Sequence, residues 1–400
     1  MVRPRFAWLR RNFALAFTAC ELTELFRRQF RTEDGPTCYR APGRVNMMGE
    51  HTDYNDGLVC PMALDMACYA AIAPSQDGSI TVYSANFKEC RAWDADNLPS
   101  LQPAGDWGDY VAGVAVELER AGFAIPSCRI YIQSDVPGGA GLSSSASLEV
   151  ATALSLLAGR EMDRLEIAKL CRRAESSFVG MPCGIMDQYA SLFGQPDSAI
   201  QIDCRSLESE TVHLPSNLRV VVVNSRVKHE LGNSAYRQRV QECQEAVNAI
   251  RKFISSVRSL RDVAWADFKD IESSLPETSR KRARHVITDN NRVLQFAEAA
   301  RRSDLAEMGR LFLASHHSAR NDYEISCEEL DFLVDTACAV DGVYGARMTG
   351  GGFGGCTVNL LAPEAGEKFR HELTTRYQNR FGITPLFYDC VPAAGAGAVE

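Results

Sequence analysis

Four short stretches carry most of the side chains able to do chemistry. The first, Gly43-Arg44-Val45-Asn46-Met47-Met48-Gly49-Glu50-His51-Thr52-Asp53-Tyr54-Asn55, packs Arg44, Glu50, His51 and Asp53 between glycines and apolar runs. Met47 and Met48 suggest that the segment dips inside, where charges need partners or a polar ligand. Carboxylates accept from hydroxyls, and His donates or accepts. The order Glu-His-Thr-Asp therefore fits a ligand with several hydroxyls, such as a sugar, against the plainer reading of a structural polar turn. Further on, Met181-Pro182-Cys183-Gly184-Ile185-Met186-Asp187-Gln188-Tyr189 sets Asp187 among hydrophobic neighbours. A partly buried aspartate there is either a structural cap or a catalytic carboxylate with a perturbed pKa.

The stretch Pro137-Gly-Gly-Ala-Gly-Leu-Ser-Ser-Ser-Ala-Ser147 reads as a phosphate cradle. An alternating strand, Arg129–Gln133, precedes it, and a helical pattern from Leu142 to Ala158 follows, with Gly159 placed as a C-cap. Glycines let backbone N–H groups approach an anion, and a helix N-terminus adds free donors and a positive dipole end. The hydroxyls of Ser143, Ser144 and Ser145 can bond phosphate oxygens or ligate a hard cation such as Mg²⁺. A Walker A loop is excluded by the missing Lys, and a dinucleotide fingerprint by Ser144 where a glycine should stand. A plain strand-to-helix turn tightened by glycine remains an alternative on this stretch alone. In the fourth stretch, five of the six residues Gly350–Gly355 are glycine, which demands close backbone approach or positive φ. Phe353 and the strand Thr357–Leu361 argue for an ordered loop.

The elements around these stretches place further candidates. Asp163–Phe178 reads as a helix with a capping box at Asp163 and Glu166. Glu175 points along its apolar stripe, where a carboxylate is either salt-bridged or shares Mg²⁺ with a loop serine. Trp107 and Tyr110 lie three apart at the start of a helix to Ala121, as core aromatics or a stacking surface for a nucleobase. The apolar run Leu218–Val223 is a fully buried strand, leading to a helix capped by Ser234 with Tyr236 in its first turn. Helical patterns continue to about residue 340, with a capping box at Ser326 and Glu329. Glu277–Arg284 reads as a solvated linker or helix face, and the closing Ala-Ala-Gly-Ala-Gly-Ala as a frayed tail.

A chain of 400 residues implies two domains. A net charge of −8 gives no support to nucleic-acid or membrane-surface binding. Fourteen scattered cysteines without Cys-x-x-Cys pairs read as reduced, mostly buried residues of a cytosolic protein. Arg3, Arg5, Arg10 and Arg11 before Phe13–Cys20 superficially resemble a signal peptide, but the apolar run is short and flows into an amphipathic helix over 20–31. Residues 1–19 are therefore expected to be a non-targeting extension or the result of a misassigned start. No apolar run of about 18 residues suggests a transmembrane helix.

In order and spacing, these motifs resemble the GHMP small-molecule kinases, and Gly43–Asn55 resembles the signature of the galactokinase family. Pro137–Ala146 is similar to the family's nucleotide loop, Met348–Gly355 to its third glycine-rich motif, and Gly184-Ile185-Met186-Asp187-Gln188 to a galactokinase segment. The resemblance spans residues 20–392. It implies an α+β, two-lobed fold of mixed sheets and helices with the active site in the inter-lobe cleft. The implied halves are 20–210 and 211–400, with the C-terminal strand able to cross back. By position, Gly139, Ala140, Gly141, Leu142, Ser143, Ser144 and Ser145 would wrap the ATP phosphates. Ser145 and Glu175 would ligate Mg²⁺. Asp187 would be the catalytic carboxylate and Arg44 the neighbouring arginine that stabilises the transition state. Glu50, His51, Thr52, Asp53, Gly184, Asp187 and Tyr236 would meet the sugar, with Trp107 and Tyr110 on the adenine side. The implied reaction is phosphorylation of galactose at its anomeric hydroxyl by Mg-ATP, in a cytoplasmic monomer. The alternatives are a kinase for a related sugar, such as N-acetylgalactosamine or arabinose, and a sugar-sensing regulator without turnover. Galacturonate is disfavoured because Glu50 would face its carboxylate. Asp56 departs from the glycine that many family members carry.

Overall fold

The computed structural model describes residues 17–228 and 232–399. The basic and apolar residues 1–16, most of the expected extension, lie outside the described residues. In chain order the strands are β1 (Thr37–Asn46), β2 (Leu58–Val59), β3 (Pro61–Pro74), β4 (Ser79–Ser84), β5 (Glu89–Asp94), β6 (Cys128–Ser134), β7 (Ser198–Asp203), β8 (Ser209–His213), β9 (Arg219–Lys228), β10 (Val343–Thr349), β11 (Gly354–Leu361), β12 (Leu386–Cys390) and β13 (Gly397–Ala398). They form a six-stranded sheet β13-β1-β3-β6-β4-β5, a four-stranded sheet β10-β11-β9-β12 and a small sheet β2-β7-β8. Only β4–β6 is a parallel neighbour pair among these strands. The result is the mixed α+β architecture that the resemblance implies.

Period-2 alternation explains how the two larger sheets are covered. In β3, Cys68, Ala70 and Ile72 face a core shared with the helices Gly108–Arg120, Ser144–Leu157 and Arg164–Arg173. Tyr69, Ala71 and Ala73 face the opposite side, where Leu22 and Phe26 of the helix Ala19–Phe30 pack. In β9, Val220 and Val222 face one core while Val221 and Val223 face another, so this strand is buried on both sides as its unbroken apolar run predicts. Met47 and Met48 join Val220, Val222, Phe296 and Phe312 in the core between the two larger sheets. The chain does cross back at its end, since β13 pairs with β1.

Several local expectations are corrected. The tail is not frayed: Ala393, Gly395 and Ala396 donate to Ala63, Gly194 and Ser191, and Ala396 is buried. Small residues are needed there, because a Cβ on Gly395 would lie 2.1 Å from the Leu192 carbonyl oxygen. The helix read from Leu142 begins at Ser144, because Ser143 takes the left-handed conformation (φ 59°, ψ 47°). Asp163 caps its helix alone, while Glu166 pairs with Lys169 instead of closing a box. That helix is α-helical to Arg173 and then widens into a π turn over Ala174–Val179, which holds Glu175. Ser234 lies inside the helix Gly232–Ile250, not ahead of it, so Tyr236 is the fifth helical residue, just past the first turn. Cys327 stands at the cap position of Glu328–Cys338, and Ser326 donates to Asp331. Glu277–Arg284 opens the 25-residue helix Glu277–Arg301 and is only partly solvated, because Arg282 is buried against Glu242 and Glu324. Asp56 sits at φ 57°, in the left-handed region that glycine enters freely and that Asp is one of the few other residues to tolerate.

Candidate active site

Where β1 ends at Asn46, the chain turns inward and is gripped from the C-terminal half. The Glu50 N–H donates to Asp289 (3.0 Å), and its carbonyl pairs with His285 Nε2 (3.0 Å), both on the helix Glu277–Arg301. Its carboxylate forms an ion pair with Arg347 of β10 and accepts from the Gly350 N–H (3.1 Å). Burial pushes the Glu50 carboxyl upward, against the pull of Arg347 and Arg44. His51 follows at φ 59°. Burial lowers its pKa to about 3, with His285 adding to the effect, so the ring is neutral. Asp53 is pushed up to about 6 by burial and by the charge on Asp187. Thr52 is buried, and its hydroxyl lies 2.7 Å from the Leu58 carbonyl and 3.0 Å from that of Gly49; it braces the loop and does not reach the cavity.

Asp187 occupies the first turn of the helix Met186–Phe193. Arg44 holds it in a fork, Nε to Oδ1 and Nη2 to Oδ2, each 2.8 Å. The third arm of the same guanidinium donates to the Gly141 carbonyl (2.7 Å), and the Ser143 hydroxyl donates to Asp187. One arginine thus ties the carboxylate to the glycine turn. The turn is anchored by Ala140 and Leu142, both buried in the core between the sheets, while Gly138 and Gly139 stay exposed. A Cβ on Gly350 would lie 3.1 Å from the Gly141 Cα, so the two glycine loops touch.

A cavity of about 230 Å³ lies where these pieces meet. Arg44, Glu50, His51, Asp53, Asp187 and Tyr236 line it, with Gly184 and Glu175 in its wall. Gly184 must be glycine: a Cβ there would sit 1.9 Å from Asp53 Oδ2. Glu175 is buried and accepts from Gln188 (2.7 Å), whose amide nitrogen also reaches Glu149 (3.0 Å). Burial, then the charge of Asp187, pushes Glu175 up to about 7, opposed by the Ser145 hydroxyl. Serine and carboxylate oxygens are hard donors suited to a divalent cation. Among the described residues no group of three or more His, Cys, Asp or Glu could hold a metal ion. A cation here would have to complete its shell with phosphate oxygens and water.

The aromatic pair splits. Burial and the charges of Glu175 and Glu149 push Tyr110 up to about 12, but Tyr110 is not among the residues that line the cavity. Trp107 instead stacks on Phe87 (5.7 Å between centroids) and lies under Arg91. Sequence reasoning missed Arg347, His285, Asp289, Gln188 and Glu149. An arginine inside a strand of otherwise apolar and small residues was the available signal for Arg347. His285 and Asp289 share a helix face four apart, but nothing local ties them to residue 50.

Comparison with known proteins accounts for this geometry. Residues 24–74 match the galactokinase galactose-binding signature, 109–195 the GHMP kinases N terminal domain and 296–379 the GHMP kinases C terminal domain. The chain is 43% identical to a galactokinase of Roseiflexus sp. (strain RS-1), over 95% of this chain and 97% of that protein. It is 40% identical to a galactokinase of Bacillus subtilis (strain 168), over 95% and 98%. The structure of Lactococcus lactis galactokinase complexed with galactose superposes with a TM-score of 0.90 at 34% identity, covering 94% of this chain and 99% of that one. Methanococcus jannaschii mevalonate kinase, at 18% identity and a TM-score of 0.64 over 90% and 100%, shares the fold. A buried sugar-type loop, a forked aspartate and a glycine turn on one cavity thus coincide with near full-length identity: the chain belongs to the galactokinase family of the GHMP kinases.

Proposed function

We propose that this chain transfers the γ-phosphoryl group of ATP to the anomeric hydroxyl of D-galactose, giving α-D-galactose 1-phosphate and ADP, the first step of galactose catabolism. The observation that carries the reading is the Arg44 fork on Asp187 in the wall of a monosaccharide-sized cavity, with the third arm of the same arginine on the Gly141 carbonyl of the glycine turn. Phosphoryl transfer needs positioning and charge neutralisation more than covalent chemistry. Glu50, His51, Asp53, Tyr236 and the backbone at Gly184 hold the sugar, with Thr52 bracing them from behind. Asp187 accepts or orients the anomeric proton at its free carboxylate edge, and Arg44 balances charge on the transferring group. The N–H groups of residues 139–145 and the helix start at Ser144 receive the ATP phosphates. Tyr110, and Trp107 beyond it, lie toward the adenine.

Ser145 and Glu175 would hold Mg²⁺, which would supply positive charge to neutralise the phosphates of ATP. Among the described residues Glu175 has no ion-pair partner, Arg44 in the same wall being engaged by Asp187, and a buried carboxylate held at about 7 fits that role. The kinase unit divides into 20–210 and 211–400, and acts as a cytoplasmic monomer. Its fourteen free cysteines support a reducing compartment. No helix among the described residues is long and apolar enough to cross a membrane. Arg347 compensates the Glu50 charge, so Glu50 repels a galacturonate carboxylate less than an unpaired carboxylate would.

The test is ADP release with Mg-ATP over galactose, glucose, 2-deoxygalactose, N-acetylgalactosamine, arabinose and galacturonate, with Asp187→Ala as the blank. Galactose as clear favourite supports the reading. Another favourite replaces the substrate, and binding without turnover on any sugar replaces catalysis with sensing.

A further inference from the structure

Behind the sugar side of the cavity, a row of polar side chains runs from the wall into the C-terminal core. His51 Nε2 lies 3.2 Å from the Gly351 carbonyl oxygen, and Nδ1 lies 2.7 Å from the Tyr54 hydroxyl. The Tyr54 hydroxyl is 2.7 Å from that of Tyr323, which is 3.0 Å from the Cys243 sulfur. Asn55 donates to Cys243 (3.6 Å) and to the His51 carbonyl (2.9 Å), closing the row into a ring. The imidazole is caged, with ring centroids 5.0 Å from Tyr236, 5.1 Å from Tyr323 and 5.7 Å from Tyr54.

Counting protons along this row leaves one arrangement. A backbone carbonyl only accepts, so Nε2 must carry the hydrogen. A neutral ring then has a lone pair at Nδ1, and the Tyr54 hydroxyl must donate to it. Having given its proton, the Tyr54 oxygen accepts from Tyr323, whose own oxygen is left to accept from the Cys243 thiol. Turning the ring over would set carbon atoms against both the carbonyl and the hydroxyl. We propose that Tyr54 and Tyr323 are positioning residues that lock His51 as the Nε2–H tautomer: in the free protein this N–H is held by the Gly351 carbonyl, and a sugar oxygen meets it only as a second acceptor of the same hydrogen or in place of that carbonyl, never at a lone pair. The inference rests on the galactose-kinase reading for its substrate, while the tautomer itself does not depend on it.

The experiment uses the full chain labelled with ¹⁵N-histidine, with His51→Gln identifying the His51 signals. At neutral pH the expected pattern is a protonated Nε2 and an unprotonated Nδ1; an Nδ1–H tautomer or an imidazolium overturns the proposal. The tautomer is read on the wild-type chain, and His51→Gln serves only to assign its signals. Kinetics supply the second arm. Removing a buried hydrogen-bond donor weakens what it orients by about tenfold, so Tyr54→Phe should raise KM for galactose by roughly that factor, and Tyr323→Phe by about threefold. Both should leave kcat and KM for ATP within about twofold of wild type, the split that a merely structural role would not give. Unchanged galactose KM in both variants, or equal rises for galactose and ATP, overturns the proposal. A wild-type enzyme silent on galactose would instead defeat the substrate assignment and leave the tautomer result standing.

Discussion

The two loops that close on the cavity are both rich in glycine, for opposite reasons. On the sugar side, Gly184 is glycine because Asp53 fills the space a Cβ would need, at 1.9 Å. On the phosphate side, a Cβ on Gly139 would meet nothing within 4 Å, and glycine is there for its positive φ of 71°. The sugar loop is buried and held by residues hundreds of positions away: Arg347 pairs the Glu50 carboxylate, and Asp289 accepts from the Glu50 backbone N–H. The phosphate turn is anchored through Ala140 and Leu142, and its outer glycines stand in solvent. A neutral sugar is recognised by fixed donors and acceptors, which must be preorganised. A polyanion can be gathered by backbone N–H groups and a helix end.

That contrast can be broken in order of expected effect. Asp187→Ala removes the group shared by both sides and should lower kcat by about 10³-fold or more, with the folded structure retained; ADP release and circular dichroism read the two. Turnover within a few-fold of wild type would defeat the assigned role. Arg347→Met strands the buried Glu50 carboxylate and should cost about 3–5 kcal/mol of stability in urea unfolding. A loss no larger than that of an exposed ion pair would show that the sugar loop is not held across the two halves.

The glycines give the sharpest comparison. Gly184→Ala should raise KM for galactose by more than tenfold, because Asp53 must move, with ATP affinity little changed. Gly139→Ala meets open space and carries only the strain of a left-handed alanine, about 1–2 kcal/mol; its effect should fall on KM for ATP. Equal effects on both substrates from either variant would erase the distinction.

The smallest effect is one of pH. Asp53 holds its proton up to about 6 in the folded chain, against an ordinary value of 3.8. The folded state therefore binds more protons than the unfolded chain between these values. The contribution is fully present below the unfolded value and is lost as pH rises through about 6. Ionised Asp53 is the form that accepts from hydroxyls, so kcat/KM for galactose should fall as pH drops through about 6. Asp53→Asn should flatten both the acidic limb and this part of the stability profile, measured from pH 4 to 8.

Some of this molecule was legible without coordinates. The strand at Leu218–Val223, the glycine turns, the dip of Met47 and Met48, and the convergence of Arg44, Asp187, Glu50, His51 and Asp53 all follow from local pattern and motif order. Local rules failed where a distant contact outweighed them. The small-residue tail looked frayed yet is bonded to Ala63, Ser191 and Gly194. Glu277–Arg284 looked solvated until Glu242 and Glu324 supplied counter-charges for Arg282. Thr52 was grouped with its neighbours by position, and only the fold shows its hydroxyl turned toward Leu58.

By itself, the sequence determined which groups are available: a glycine turn followed by three serine hydroxyls, a loop of Glu, His, Thr and Asp, and an aspartate among apolar neighbours, because residue type and short-range spacing fix donors, acceptors and backbone freedom. Tertiary structure alone decided which charges are paired, which hydroxyls face the cavity, and which nitrogen of His51 carries the proton. Those depend on burial and on partners such as Tyr323 and Arg347, brought within hydrogen-bond reach only by the packing of the two halves.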